Sequence, residues 1–292
     1  MTRKHGVVAS AAGLIPFGHL GWGYADRADF YARAAEYIAD GLAQNQRVDY
    51  VGDATREQLW AELAAMAGLC GRLNEGNIAV TPTMEFYAVA AGTDVVDPET
   101  ALAARVVAVE QAIQDGYTGF RAVADCTAVA RRPEQRDAFG RFEFLIDQKM
   151  AVLPVSALCA YDLSQLADGA AELLCLHPYV SCQGAPSFQL YAEPGADFAL
   201  SGEIDASCGQ MFADALGRIL SQTAEKAVII DARGLEFIGH RQLITLDRYA
   251  QAHARTVVLR AARRTITRLA GLLSLTNVRV EPPLQGFDAD GP

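Results

Sequence analysis

Apolar positions along this chain change their period repeatedly, and the changes mark its elements. Phe30, Ala34, Tyr37, Ile38 and Leu42 recur at helical spacing, while the next segment, Arg47 to Asp53, alternates or runs apolar like a strand. Behind Pro98, Leu102, Val106, Val109 and Ile113 mark a second helix, and Phe120–Asp125 reads as the strand after it. Pro133 opens a third helix with Ala138, Phe142, Leu145 and Met150 on one side, followed by an apolar strand at Val155–Tyr161. Such alternation predicts an α/β fold with a mainly parallel sheet flanked by helices. Ligands in such sheets are expected beyond the carboxyl ends of the strands.

The pattern breaks at Pro178–Ser187, which holds Ser181, Gly184 and Pro186, and a domain boundary is expected there. Residues 1–182 form the expected first domain and 187–285 the second. The second reads as an antiparallel pair, Ser187–Tyr191 and Phe198–Ile204, then a helix carrying Met211, Phe212, Ala215 and Ile219. A strand at Val228–Asp231, a helix from His240 to about His253, a strand at Thr256–Leu259, a helix at Arg264–Leu273 and a strand at Val278–Val280 complete a smaller α/β domain. The polar end, Gly286–Pro292, is expected to fray.

Composition narrows the class. The 292 residues are 51% hydrophobic and 21% charged, as soluble globular domains are. No apolar run approaches a membrane span, no signal peptide is expected, and a cytoplasmic location follows. The net charge of −10, concentrated in residues 1–186, argues against direct nucleic-acid binding. Arg255, Arg260, Arg263, Arg264 and Arg268 read as a solvated helix face, with a docking patch as the alternative. The six cysteines, Cys70, Cys126, Cys159, Cys175, Cys182 and Cys208, include no Cys-x-x-Cys pair and read as reduced thiols.

Two stretches carry resemblances. Ala227–Asp231 runs into Ala232–Ile238 and then Gly239-His240-Arg241-Gln242-Leu243, which resembles the switch loop of a STAS domain, the fold of anti-sigma factor antagonists. Phe198–Asp205 is similar to that family's Leu-x-Gly-Glu-Ile-Asp segment. The resemblance implies a domain that binds an anti-sigma factor or related regulatory protein and is controlled by a phosphate on a loop serine. Here His240 stands at that serine's position, Gly239 at the usual acid and Arg241 at the following small residue. A serine kinase has no acceptor, and these three residues are the expected partner contact.

Gly18–Tyr24, the helix ending Ala39-Asp40-Gly41-Leu42, Cys159-Ala160-Tyr161-Asp162 and His177-Pro178 together resemble a MEDS domain over about residues 15–180. This module is named after methanogens, methylotrophs and a dichloromethane-responsive repressor. The resemblance implies a derived RecA/KaiC-like fold that senses a small organic ligand.

Catalysis fits less well. A RecA-type ATPase needs a glycine-rich loop ending in lysine to hold phosphates, and Lys4, Lys149 and Lys226 follow no such loop. No nucleophile elbow or zinc-protease helix occurs either, so the chain is not expected to be an enzyme. The candidate ligand-binding set is His19, Trp22, Tyr24, Arg121, Asp125, Cys159, Tyr161, Asp162 and His177, polar and aromatic residues expected at strand ends. The ordinary alternative for His19, Tyr161 and His177 is a hydrogen-bonded structural role, and for Trp22 it is core packing. His19, Cys159 and His177 also belong to metal- or haem-ligating types, but no local spacing joins them, and no metal centre is expected. Glu143 reads as a solvated acid, with a cavity-facing role as the alternative.

Three functions therefore stand open. One is a ligand-sensing domain coupled to an antagonist domain. Another is a constitutive interaction or oligomerisation module on a scaffold. The third is a small-molecule enzyme using His19, Asp125 or Cys159.

Overall fold

A computed structural model describes residues 3–13, 18–69, 71, 73, 77–220 and 226–283, and the chain divides into two compact units between Pro186 and Ser187. The Gly286–Pro292 tail and Cys70 lie outside the described residues.

The first unit is built on a seven-stranded parallel sheet. Its strands are β1 (Gly6–Val8), β2 (His19–Tyr24), β3 (Arg47–Gly52), β4 (Ile78–Pro82), β5 (Phe120–Asp125), β6 (Val155–Asp162) and β7 (Tyr179–Ser181). They lie in the order β1-β7-β2-β6-β5-β3-β4. The expected α/β class is what the chain adopts. Strand β6 explains the layering, because a strand covered on both faces must be apolar on both. Its Leu158 and Ala160 join one core with α1 (Arg27–Ala43) and α2 (Arg56–Ala65). Its Ala157, Cys159 and Tyr161 join another with α4 (Pro98–Gln114), α5 (Pro133–Met150) and α7 (Ala171–Leu174). The helix starts follow local chemistry. Asp26 and Asp97 accept hydrogen bonds from the backbone N–H groups of Ala28 and Thr100, and Pro98 and Pro133 occupy first helical positions.

Short α3 (Thr83–Phe86) and α6 (Leu163–Leu166) follow β4 and β6. Neither they nor α2, α7, β1, β2, β4 and β7 were expected from periodicity. Strand β2 is a clear case: its sequence His-Leu-Gly-Trp-Gly-Tyr lacks β-branched residues, yet all six are buried.

The second unit holds a mixed sheet in the order β12-β11-β10-β9-β8. Strands β8 (Phe188–Tyr191) and β9 (Phe198–Ile204) pair antiparallel. Strands β9, β10 (Ala227–Ile238), β11 (Thr256–Ala261) and β12 (Val278–Glu281) pair in parallel. Helices α8 (Gly209–Leu220), α9 (His240–Ala252) and α10 (Arg264–Leu272) connect them.

One expectation needs correction. The stretch Ala232–Ile238, expected as a loop after a short strand, continues β10. Two register shifts against β9, between Asp231 and Gly234 and between Leu235 and Phe237, keep Leu235 and Ile238 buried although simple alternation fails. No helix among the described residues is long and apolar enough to cross a membrane.

Candidate functional site

The period of β2 sorts the candidates before any contact is considered. Successive strand residues face opposite ways. Leu20, Trp22 and Tyr24 therefore enter the core beneath α1, while His19 and Gly21 face the side covered by α5 and α7.

On that second side His19 meets two acids from one helix. Glu143 and Asp147, four residues apart on α5, point from the same face and are wholly buried. His19 Nδ1 lies 3.1 Å from Asp147 Oδ1, and Nε2 lies 3.0 Å from Glu143 Oε2. Arg3 Nη1 donates to Asp147 Oδ2 at 2.8 Å, and the Tyr161 hydroxyl donates to Glu143 Oε1 at 2.7 Å. Cys159 Sγ sits 3.6 Å from His19 Nε2 and 3.7 Å from Glu143 Oε2. From the segment after α7, His177 packs its ring centroid 4.1 Å from that of His19. Gly21 makes this possible: a Cβ there would meet His177 Cγ at 2.9 Å.

Electrostatics follow from these contacts. Burial alone would lower the His19 pKa, but its bonds to Asp147 and Glu143 outweigh that and raise it to about 9. Burial would raise both carboxyl groups, yet Arg3 and His19 hold Asp147 below the ordinary range, and His19, His177 and Tyr161 hold Glu143 down. His177 behaves oppositely, because burial and then the His19 charge depress it to about 4. Hydrogen bonding with Cys126, burial and the Glu143 charge push the Cys159 thiol up.

His177 has a defined tautomer. Its Nδ1 lies 3.0 Å from the Leu173 carbonyl, which can only accept, so Nδ1 carries the proton and Nε2 presents a lone pair. That lone pair faces Glu143 Oε2 at 3.8 Å, an acceptor against an acceptor, and has no hydrogen-bond partner. An unsatisfied buried polar atom costs about 1–3 kcal/mol. One donor atom each from His19, Glu143, Cys159 and His177 lies within 4.8 Å of every other, a set with the chemistry to hold a metal ion.

An apolar cavity adjoins this quartet. Glu143 and Cys159 line it together with Ala122, Ala124, Ala157 and Phe142, and about 20 Å³ is open to the centre of a water-sized molecule. Arg105 also lines it, its guanidinium 3.8 Å from the Phe86 ring centroid and its Nε without a hydrogen-bond partner.

The structure thus brings together His19, Cys159, Tyr161 and His177 of the sequence candidates, and it parts them from the rest. The expected position beyond the carboxyl strand ends does not hold for the four, which lie against the face of the sheet. Tyr24 and Asp125 do end their strands, where the Tyr24 hydroxyl and Arg27 both donate to Asp125 Oδ2 at 2.9 and 2.7 Å. Trp22 belongs to the other core, and its Nε1 donates outward to the partly exposed Asp29. Asp162 caps α6 by accepting from Ser164 N. Arg121 is wholly buried on the α1 side, bonded to Gln46, the Tyr37 carbonyl and Asp40, and fits because Gly41 leaves room. Glu143, read as a solvated acid, has no exposed surface, and Asp147 and Arg3 were not anticipated. The usable signal was two acids at i and i+4 on the apolar side of α5. Cys126, Cys159, Cys182 and Cys208 are free thiols.

In the second unit Gly239 caps α9, and its N–H donates to the Ile204 carbonyl at 2.8 Å. His240 and Arg241 begin the helix and are exposed, and Phe237 just before them is 48% exposed.

The first unit is thus a parallel α/β domain that holds a buried polar quartet beside a small, mostly apolar cavity. Residues 18–178, more than half of the chain, match the MEDS family, described as the methanogen/methylotroph, DcmR sensory domain. The chain belongs to that family and has a sensing or signalling role. Comparison with curated proteins finds no match.

Proposed function

We propose that the first unit binds a small organic molecule in the cavity beside Glu143 and Cys159, and that occupancy biases how the second unit engages a protein partner. The observation that carries this reading is the position of Glu143 and Cys159: held in fixed directions by the quartet, they line a mostly apolar cavity inside a sensory-family domain. Its size favours a ligand of few heavy atoms, and Arg105 offers such a ligand an under-used donor at the cavity wall. No catalytic step is assigned, because His19, Glu143 and Cys159 partner one another and no phosphate-binding lysine accompanies them.

The second unit is read as STAS-like. Its support is the Phe198–Asp205 segment on β9 and the junction of β10 with α9, where Phe237, His240 and Arg241 form an exposed edge. The partner on this reading is an anti-sigma factor or related cytoplasmic regulator. With no hydroxyl at position 240, control passes from a phosphate on this junction to the ligand in the first unit, which must bind one state of the protein more tightly than the other. The test is to titrate small alcohols, aldehydes and ketones while recording anti-sigma factor binding by the full chain. A ligand that binds and shifts partner affinity supports the reading; a ligand that binds tightly and never shifts it refutes the coupling.

A further inference from the structure

We propose that His19 Nε2, Glu143 Oε2, Cys159 Sγ and His177 Nε2 form a binding site for a tetrahedral divalent transition-metal ion of the zinc type. The inference goes beyond the organic-ligand reading and does not depend on it.

Distances fit the chemistry. Metal bonds of about 2.0–2.3 Å to nitrogen, oxygen and sulfur place tetrahedral ligand atoms roughly 3.3–3.7 Å apart. Four of the six separations are 3.0 Å for His19 Nε2 to Glu143 Oε2, 3.6 Å for Cys159 Sγ to His19 Nε2, 3.7 Å for Cys159 Sγ to Glu143 Oε2 and 3.8 Å for His177 Nε2 to Glu143 Oε2, and the other two, from His177 to His19 and to Cys159, lie within 4.8 Å, close enough for an ion to draw the donors in. Two imidazoles, a thiolate and one carboxylate oxygen suit zinc or cobalt rather than calcium or magnesium, which prefer all-oxygen sites.

The outer partners point the same way. Metal-binding histidines hand their other ring nitrogen to a carboxylate or a backbone carbonyl. His19 Nδ1 has Asp147, itself held by Arg3, and His177 Nδ1 has the Leu173 carbonyl. The Tyr161 hydroxyl donates to the other oxygen of Glu143, Oε1, and so fixes the carboxylate. The independent observation is His177 Nε2. It is fully buried, lies 3.8 Å from a carboxylate oxygen, and has no hydrogen-bond partner. A cation between the two removes the conflict.

Binding is also neutral in charge. Without metal, His19 has a carboxylate at each nitrogen, so a cationic ring and Arg3 balance Glu143 and Asp147. A divalent ion displaces the proton on His19 Nε2 and the proton on Cys159 Sγ, and both leave to solvent. The ion and Arg3 then balance Glu143, Asp147 and the thiolate.

The test uses the full chain, stripped with a chelator and titrated with Co2+ alone. The proposal expects one ion per chain, tetrahedral visible absorption with a thiolate-to-cobalt charge-transfer band, and release of about two protons per ion. Zn2+ should bleach the spectrum. Cys159→Ser should abolish the charge-transfer band, and Cys182→Ser, at an exposed thiol, should leave it intact. If Cys159→Ser does not fold, His177→Gln provides the second variant: the band stays while affinity falls by more than about tenfold. Folded wild-type protein that takes up no Co2+, or a band that survives Cys159→Ser, overturns the proposal.

Discussion

Stability of the metal-free protein should fall as pH rises from about 6.5 to 9, and His19 should be the cause. Its pKa is raised in the folded state, so the stability it contributes is fully present below its unfolded value and is lost as pH climbs through the folded one. A rise from 6.5 to about 9 corresponds to about 3 kcal/mol at roughly 1.4 kcal/mol per tenfold change. For a domain of this size that is about 6–12 °C in melting temperature. Both tryptophans, Trp22 and Trp60, belong to the first unit, so urea unfolding followed by tryptophan fluorescence reports on this unit selectively. The comparison is wild type against His19→Gln in chelator, because titrating groups that do not contact His19 cancel in the difference. The glutamine variant should be less stable at pH 6.5 and show a shallower loss up to pH 9. Equal slopes for the two proteins would refute the assignment of His19 as a buried cation between Glu143 and Asp147.

Other perturbations probe separate parts of the structure. His177, with its pKa depressed to about 4, should make metal-free protein lose stability as pH falls from about 6.5 to 4, and His177→Gln should flatten that limb in the same assay. Gly21→Ala should weaken Co2+ binding by about 10–100-fold without altering a donor, because its Cβ would displace the His177 ring; unchanged affinity in titration would contradict the packing. Arg121→Leu should cost about 3 kcal/mol or more in urea unfolding, since Gln46, Asp40 and the Tyr37 carbonyl lose a shared donor. His240→Ser should leave unfolding unchanged, as the residue is exposed, and alter partner affinity in a binding titration; unchanged affinity would remove its special role.

The main helices and several central strands were legible because their faces are periodic. Phe30, Ala34, Tyr37 and Ile38 in α1 and the alternating faces of β6 carry enough apolar signal to place those elements. Strand β2 hid behind its glycines, one of which exists to seat His177 rather than to make a strand. The length of β10 hid behind Arg233 and Glu236, polar residues that its register shifts accommodate.

The site was half legible. His19, Cys159, Tyr161 and His177 stand in recognisable motifs, but their meeting point is set by tertiary packing of α5 over β2 and β6. Glu143 and Asp147 look like ordinary helical acids until that packing turns them inward, and Arg3 joins from far along the chain. Spacing along the sequence is a poor guide to ligands drawn from separate elements. The same packing that gathers them leaves Arg121, Trp22 and Asp125 in other surroundings.

X-ray absorption at the cobalt edge of the Co2+-loaded full chain tests the central assignment most directly. The account predicts a four-coordinate shell of one sulfur and three nitrogen or oxygen atoms, with imidazole scattering. A shell without sulfur, or with more than one, would place the ion elsewhere and contradict it.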